Sequence, residues 1–241
     1  MVGTYRLADR VVRVESVFDE VQELCRDYAV EQDEVDLAVQ TTMDDIALEA
    51  GLSVDDGHDY SDGYLETLAV YRKVAEAMPS FETLLVHGSC VAVDGEAYLL
   101  CAPSGTGKST HARLWRELLG ERAIMVNDDK PLVRLVDGGA VAFGTPWDGK
   151  HHLSRNIAVP LHSICLLERA DDNRIRRLEA AEAYPRVLQH VYRPRDHGAL
   201  GLTLGLVDRL LSCVSLWALG CNMDSRSAGL SYSAMSGRSM P

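Results

Sequence analysis

The stretch Ala102-Pro103-Ser104-Gly105-Thr106-Gly107-Lys108-Ser109-Thr110 lies between an apolar segment, residues 97–101, and a segment with helical periodicity, residues 111–119. Its small residues allow successive backbone N–H groups to close around phosphate oxygens, and the following helix points its positive end at the anion. In this pattern Lys108 reaches the outer phosphates and Ser109 offers a hydroxyl to Mg²⁺. The usual glycine at the first position is replaced by Ala102, where any small residue is sufficient. The order of strand, loop and helix therefore predicts a site for the phosphates of a nucleotide over residues 104–110.

The composition excludes several classes of protein. The 241 residues carry a formal net charge of −12, which argues against a polyanionic partner such as nucleic acid. No apolar run approaches the ~20 residues that span a bilayer. The six cysteines form no CxxC pair, and the first residues do not have the pattern of a signal peptide. We therefore expect a reduced, cytoplasmic protein with no nucleic-acid or membrane partner.

Residues 1–80 differ in pattern from the rest of the chain and predict a small α+β lobe. Alternating apolar residues predict strands over residues 5–14 and 35–39, and 3.6-residue periodicity predicts helices over residues 17–28 and 64–78. A further helix starts with Thr42 as its cap, and residues 55–59 form a polar loop. No catalytic pattern is present in this lobe, which we expect to pack on a catalytic core.

Residues 81–241 predict that core, a mixed α/β unit of closely spaced strands followed by helices. The predicted strands cover residues 84–93, 97–101, 123–126, 132–136, 141–143 and 164–167. Helices are predicted over residues 111–119, 179–191 and 203–214, and a short helix follows Asp224 after an apolar segment, residues 215–219. One predicted hairpin, with its turn at Asp94-Gly95-Glu96, leads directly into the glycine-rich stretch.

A pair of acids, Asp128-Asp129, follows the predicted strand over residues 123–126. Sites in phosphate-binding α/β sheets lie at the carboxyl ends of strands, so these acids are candidates for the chemistry. One carboxylate can hold Mg²⁺ and the other can accept a proton from an attacking hydroxyl. The sequence leaves open which aspartate has which role.

A second candidate segment is the glycine- and proline-bounded loop Gly144-Thr145-Pro146-Trp147-Asp148-Gly149-Lys150-His151-His152, which has the composition of a substrate loop. Phosphoryl transfer spreads negative charge that cations stabilise. The cations Lys130, Lys150 and Arg155 are therefore candidate phosphate or substrate contacts, together with Trp147. Tyr192-Arg193-Pro194 is a candidate wall for the base of a nucleotide.

Several of these motifs resemble the C-terminal domain of the HPr kinase/phosphorylase family, whose P-loop fold is related to that of phosphoenolpyruvate carboxykinase. The match lies in His87-Gly88, in the stretch from Pro103 to Ser109 and in Asp128-Asp129, in the same order and at similar spacing. The chain is most similar to small bacterial HPr-kinase-like proteins, which include serine kinases of ribosomally made peptides. That closer similarity includes Asn127-Asp128-Asp129-Lys130-Pro131, Gly144-Thr145-Pro146-Trp147 and Cys221-Asn222-Met223-Asp224.

The resemblance implies a Mg²⁺- and ATP-dependent kinase that acts on a hydroxyl, the serine of a peptide or small protein or a free serine-like metabolite. It implies that His87, Lys108, Ser109, Asp128 and Asp129 lie near the reacting groups. Two departures, Thr110 in place of an acid and the segment around Trp147, argue against a phosphorylase reaction and against HPr as the acceptor. HPr kinases assemble into rings, so the resemblance also allows a homo-oligomer.

Two other functions stay open at this stage. A non-catalytic module could bind a nucleotide and recruit a biosynthetic partner, although the intact pair of aspartates argues against it. A carboxykinase-like enzyme would need further metal-ligating residues and a set of arginines for a dicarboxylate, and the chain is short for that chemistry.

Overall fold

The computed structural model describes residues 1–52, 59–222 and 224–239. Within them the chain has a mixed α/β fold with two β-sheets and seven α-helices. Most of the polar loop predicted over residues 55–59 lies outside the described residues. None of the described helices combines the length and apolar character needed to span a membrane.

The N-terminal sheet has three strands, β1 (Val2–Leu7), β2 (Arg10–Glu15) and β3 (Leu37–Gln40), in that order. β1 and β2 are antiparallel, and β3 is parallel to β2. The prediction of one strand over residues 5–14 is wrong because Ala8 and Asp9 adopt φ angles of +48° and +57° and reverse the chain. Left-handed backbone of this kind is typical of tight hairpin turns.

Three helices accompany this sheet, α1 (Glu20–Leu24), α2 (Met43–Leu52) and α3 (Asp62–Ala77). α1 is shorter than predicted and is followed by a 3₁₀ turn, Arg26–Tyr28. Thr42 caps α2 as predicted and exchanges hydrogen bonds with Asp45 in a capping box. A second 3₁₀ turn, Met78–Phe81, leads from α3 into the large sheet. The predicted domain boundary at residue 80 falls in that turn and stays a prediction.

The large sheet contains nine strands. In chain order they are β4 (Thr83–Leu85), β5 (Ser89–Val93), β6 (Glu96–Cys101), β7 (Ala123–Asn127), β8 (Leu132–Val136), β9 (Gly139–Phe143), β10 (Ala158–Arg169), β11 (Arg174–Arg177) and β12 (Ser215–Cys221). The order across the sheet is β4-β8-β9-β10-β6-β5-β7, with β12 also on β10 and β11 on β12. β10 is long enough to pair antiparallel with β9 at its start and parallel with β6 and β12 further along.

Two predictions for this sheet need correction. The strand predicted over residues 84–93 is interrupted after Leu85, and pairing with the sheet resumes only at Ser89. β11 was not predicted, because its arginine-rich sequence, Arg174-Ile175-Arg176-Arg177, has almost no apolar residues to signal a strand.

Four helices cover the large sheet, α4 (Lys108–Leu119), α5 (Ala180–Leu188), α6 (His197–Cys213) and α7 (Arg226–Ser236). α5 and α6 pack on one face and α4 and α7 on the other. Neighbouring residues of β6 therefore enter different cores, with Leu99 toward α5 and α6 and Leu100 toward α4 and α7. β6 is buried on both faces, as its continuous apolar sequence predicted.

A third apolar cluster joins the N-terminal region to the large sheet. It contains Val70 and Val74 of α3 together with Leu85, Leu132 and Phe143 of the large sheet. The expected packing of the N-terminal elements on the rest of the chain is confirmed by these contacts.

Candidate active site

The glycine-rich loop lies between the end of β6 and the start of α4, in the predicted order of strand, loop and helix. Gly105 and Gly107 have φ angles of +73° and +116°, which residues with a Cβ atom adopt only with strain. α4 begins directly after Gly107, and the backbone N–H of His111 donates to the carbonyl of Gly107 at 2.8 Å. The first backbone N–H groups of α4 are therefore left for an external acceptor.

The side chain of Lys108 is folded back onto this loop. Its ammonium Nζ donates a hydrogen bond of 2.9 Å to the carbonyl of Ala102. Burial lowers the pKa of Lys108 below its ordinary value, and the carboxylate of Asp129 acts in the opposite direction. Lys108 and Asp129 are thus close enough to interact electrostatically.

The two aspartates follow β7 and have different surroundings. Asp128 is buried, and its Oδ1 accepts a hydrogen bond of 2.7 Å from the hydroxyl of Ser89. The side chain of Asp129 is 33% exposed, with Oδ1 3.2 Å from Nε2 of His87 and Oδ2 3.5 Å from Nζ of Lys130. Asp128 is held by Ser89 at the inner side of the site, and Asp129 is the more exposed of the two carboxylates.

The pKa of Asp129 lies below its ordinary value. Burial acts to raise this pKa, but the hydrogen bond from His87 and the charge of Lys130 outweigh it. Asp129 is therefore a carboxylate at neutral pH and a hydrogen-bond acceptor.

His87 reaches Asp129 because the strand is interrupted after Leu85. The backbone N–H of His87 donates to the carbonyl of His190 at 2.7 Å, and the N–H of Gly88 donates to the carbonyl of Asp129 at 3.0 Å. Burial, with smaller contributions from His87 and Lys108, lowers the pKa of His190 to about 4. A neutral imidazole therefore lies behind His87 at neutral pH.

Asn127 holds the aspartate turn in place, a role that sequence reasoning did not assign to it. Its side chain is fully buried, and its Oδ1 accepts hydrogen bonds from the backbone N–H groups of Asp129 at 2.8 Å and Lys130 at 2.6 Å. Its Nδ2 lies within hydrogen-bond distance of Oγ1 of Thr145, at 3.0 Å, and of the carbonyl of Trp147, at 3.3 Å. One amide therefore connects the aspartate turn to the predicted substrate loop.

The loop, the aspartates and part of the predicted substrate loop line one cleft of about 490 Å³, here called the aspartate cleft. Its lining residues are His87, Ser104, Gly105, Gly107, Lys108, Ser109, Thr110, Asp128, Asp129, Asp148, Gly149, Lys150 and His151. All predicted catalytic residues are in this set, and so are the predicted phosphate-binding residues except Thr106. The structure therefore brings together residues from four separate parts of the sequence.

The four predicted substrate residues are in different environments. Lys150 is exposed and lines the cleft, whereas Lys130 lies beside Asp129 with its Nζ 5.9 Å from the centre of the Tyr71 ring. Trp147 is 7% exposed, and its indole N–H donates to the carbonyl of Thr67 in α3 at 3.0 Å. Neither Trp147 nor the exposed Arg155 is among the residues that line the cleft.

Three lining residues, Asp148, Gly149 and His151, were not assigned from the sequence. All three belong to the predicted substrate loop, so the signal was the composition of that loop rather than any residue alone. Gly149 lies directly against Asp128, and a Cβ at position 149 would be 3.0 Å from Oδ2 of Asp128. The predicted substrate loop therefore packs against the buried aspartate.

The predicted wall for a nucleotide base lies elsewhere. The hydroxyl of Tyr192 donates to Glu76 of α3 at 2.9 Å, and its ring contacts the ring of Tyr71 edge-on at 6.1 Å. Tyr192, Arg193 and Pro194 are not among the residues that line the aspartate cleft.

The oxygen atoms in the aspartate cleft suit a hard divalent cation. Ser109 and Asp128 both line it and offer a hydroxyl and a carboxylate, the ligand types that Mg²⁺ uses together with water and substrate phosphates. Among the described residues no cluster of three or more His, Cys, Asp or Glu side chains could hold a metal ion without such help. The donor set fits a cation that arrives with a phosphate ligand.

Comparisons with known proteins identify a family. No curated protein matches the chain. Among solved structures, the HPr(Ser) kinase/phosphatase from Coxiella burnetii matches with 14% identity over 52% of this chain and 94% of that chain, and the TM-score of 0.29 is too low to support an inference. Residues 58–193, more than half of the chain, match the model of a family described as SynChlorMet cassette protein ScmC. The chain therefore belongs to the ScmC family.

Proposed function

We propose that this protein is an ATP-dependent kinase that transfers the γ-phosphoryl group to a hydroxyl. The acceptor is the serine of a peptide or small protein, or a free serine-like metabolite. The observation that carries the proposal is the aspartate cleft, in which a glycine-rich loop and the start of a helix face two aspartates. The motif resemblance to HPr-kinase-like proteins supports the same reaction.

The triphosphate binds to the glycine-rich loop in this proposal. The free N–H groups at the start of α4 bind phosphate oxygens, and Lys108 exchanges its bond to the carbonyl of Ala102 for one to the outer phosphates. Ser109 and Asp128 would hold Mg²⁺, which would supply positive charge where negative charge develops. Lys150 is an additional cation in the cleft.

Asp129 orients the acceptor hydroxyl. It is more exposed than Asp128, and its lowered pKa makes it a hydrogen-bond acceptor and only a weak base. Phosphoryl transfer through a loose transition state needs positioning more than strong base catalysis, so such a carboxylate is sufficient. His87 holds Asp129 from the other side.

The reaction balances without a further reactant. The bond between the γ-phosphorus and the bridging β–γ oxygen breaks, and a bond forms between that phosphorus and the acceptor oxygen. The hydroxyl proton passes to Asp129 and then to solvent, and ADP leaves.

The test uses γ-labelled ATP, Mg²⁺ and the purified protein, offered free serine, serine-containing peptides and a soluble extract of its own cell. Label in an acid-stable phosphoester is the expected result. Lys108→Ala should abolish it, because the loop loses its cation. Lys73→Ala is the matched control, since Lys73 lies on α3 and pairs with Asp45 at 2.9 Å.

The alternative function predicts a different outcome. A nucleotide-binding module that recruits a biosynthetic partner would bind ATP with the same dependence on Lys108 but would transfer no label to any hydroxyl. That result would replace the kinase proposal.

A further inference from the structure

A second cleft of about 630 Å³, here called the outer cleft, lies on the other side of the glycine-rich loop. Gly105, Gly107 and Thr110 line both clefts. Neither Asp128 nor Asp129 lines the outer cleft, so the groups proposed for phosphoryl transfer are all on the other side of the loop. A ligand whose phosphates lie on the loop can therefore place its other end in the outer cleft.

The outer cleft has apolar surface that phosphates do not need. Leu114 of α4 is 8% exposed and lines the cleft together with Ala170 and Cys221, which are partly buried. A polyphosphate gains nothing from contact with such groups, because each of its oxygens seeks a hydrogen-bond donor or a cation. A flat heterocycle gains from them by burying its apolar faces.

The far wall of the outer cleft consists of two segments that are joined by hydrogen bonds, one after β10 and one at the end of β12. The backbone N–H of Ala170 donates to the carbonyl of Cys221 at 3.1 Å. The side chain of Asn222 donates to the carbonyl of Asp171 at 2.8 Å, and its backbone N–H donates to Oδ1 of Asn173 at 3.0 Å. A wall that is ordered before binding loses little entropy when a ligand enters.

The polar groups at the mouth suit the edge and the face of a base. Arg169, at the end of β10, donates a hydrogen bond of 2.6 Å to the carbonyl of Gly105, and its planar guanidinium can lie against a ring. The carboxylate of Asp171 makes no hydrogen bond or ion pair within the described ranges 1–52, 59–222 and 224–239, and it is available to accept from an amino group.

We propose that the outer cleft binds the nucleobase of the nucleotide, with the ring between Arg169 and the apolar surface of Leu114, Ala170 and Cys221. This inference rests on the proposed function, because it assumes that the triphosphate lies on the glycine-rich loop. It puts the base at the end of β10 and β12 rather than at the Tyr192 segment predicted from the sequence.

The native cysteines provide the test without any substitution. Cys221 lines the outer cleft, Cys213 is exposed at the end of α6, and the other four cysteines are buried. The rate of alkylation by N-ethylmaleimide is measured for each thiol by mass spectrometry, and chymotryptic cleavage after Trp217 separates the two peptides. The ligands are Mg-ATP and Mg-tripolyphosphate, each at ten times its own measured Kd.

The expected result is that Mg-ATP slows alkylation of Cys221 about tenfold, the factor given by the remaining unliganded protein. Mg-tripolyphosphate should leave that rate unchanged, and Cys213 should react equally in all samples. Two results would overturn the base site and leave the phosphate site intact. In one, both ligands protect Cys221 equally; in the other, both ligands bind and neither protects it. If neither ligand binds, the proposed function itself fails and the base site with it.

A substitution that fills the outer cleft gives a second, independent readout. Cys221→Trp should raise the Kd of ATP roughly tenfold or more, about the change expected for losing one set of ring contacts, and leave the Kd of tripolyphosphate unchanged. Cys213→Trp is the matched control and should change neither constant. An equal change for both ligands, or no change for ATP, would contradict the inference.

Discussion

The two walls of the aspartate cleft are built in different ways. The loop wall consists of consecutive residues, and its shape depends on the backbone of Gly105 and Gly107 and on the start of α4. The opposite wall contains three separate segments, around His87, Asp128 and Lys150, that are joined by side-chain and backbone hydrogen bonds. One wall is specified locally and the other by tertiary contacts.

This difference has a consequence for how substitutions act. A change in the loop wall affects what the loop binds but leaves the rest of the fold in place. A change in the opposite wall affects the positions of several segments at once, because Asn127 connects the aspartates to the predicted substrate loop. The following predictions separate these two kinds of effect.

Among substitutions in the opposite wall, the largest effect is expected from Asp129→Asn and Asp128→Asn. Each should lower the rate of phosphoryl transfer by about 10²–10⁴-fold, since a neutral amide cannot accept the hydroxyl proton or bind the cation as a carboxylate does. ATP binding, which depends on the loop wall, should persist. Rates come from the labelled-ATP assay and affinities from calorimetry.

The control for both is Asp137→Asn, in the exposed turn between β8 and β9, which should behave as the parent protein does. Full activity in both aspartate variants would show that this wall does not carry the chemistry.

Asn127→Leu keeps the volume of the side chain but removes its amide. The partly buried N–H groups of Asp129 and Lys130 then lose their acceptor, and we expect the free energy of unfolding to fall by about 2 kcal/mol. Urea denaturation measures this. Asn156→Leu is the matched control, because the side chain of the exposed Asn156 donates a hydrogen bond of 2.8 Å to the carbonyl of Asp27. Equal losses in the two variants would contradict the role of Asn127.

Much of the loop wall could be predicted from the sequence, because its residues are consecutive and its flanking strand and helix have clear periodicity. The position of the aspartates at the end of a strand was also predicted, and the structure has them there. Phosphate binding and catalysis by these residues stay predictions.

The rest could not be predicted because it depends on distant contacts. The interruption of the strand after Leu85 is accompanied by hydrogen bonds from Gly88 to Asp129, 41 residues further on, and from His87 to His190, 103 residues further on. The burial of Trp147 follows from packing against α3 of the N-terminal region. Neither contact leaves a periodic pattern in the sequence.

A smaller effect is expected on the pH dependence of stability, through His111 in the helix behind the loop wall. His111 of α4 is 2% exposed, and burial lowers its pKa to about 4 from an ordinary value of 6.5. Between those values the unfolded chain binds a proton that the folded chain does not, so the free energy of unfolding falls as the pH drops from about 6.5 to about 4. The lowered pKa of His190 adds to the same fall in unfolding free energy at low pH.

His111→Gln should therefore make this pH dependence shallower, by at most about 1.4 kcal/mol per pH unit. Urea titrations without nucleotide at several pH values between 4 and 7 measure the slope. His152→Gln is the control, since that side chain is 80% exposed. An unchanged slope in His111→Gln would mean that His111 is not the buried neutral group.

The smallest effect is expected from Trp147→Phe. The variant loses the hydrogen bond to the carbonyl of Thr67, which should cost about 1 kcal/mol in unfolding free energy and leave the KM for the acceptor unchanged. Trp217→Phe is a matched control, because the buried Nε1 of Trp217 has no hydrogen-bond partner in the part of the chain that the structure describes. A raised KM in Trp147→Phe would restore Trp147 as the substrate contact predicted from the sequence.

The contacts between α4 and α7 join two segments that the ribosome makes at different times. Ser231 of α7 lies 2.9 Å from Nε2 of His111, which is 120 residues earlier in the chain, and 2.8 Å from Nε1 of Trp115. The ring of Tyr232 packs edge-on against Trp115 at 5.6 Å. During synthesis the glycine-rich loop therefore emerges from the ribosome long before the helix that supports α4. A nascent chain that does not yet include α7 therefore lacks these contacts behind the loop that we propose binds ATP.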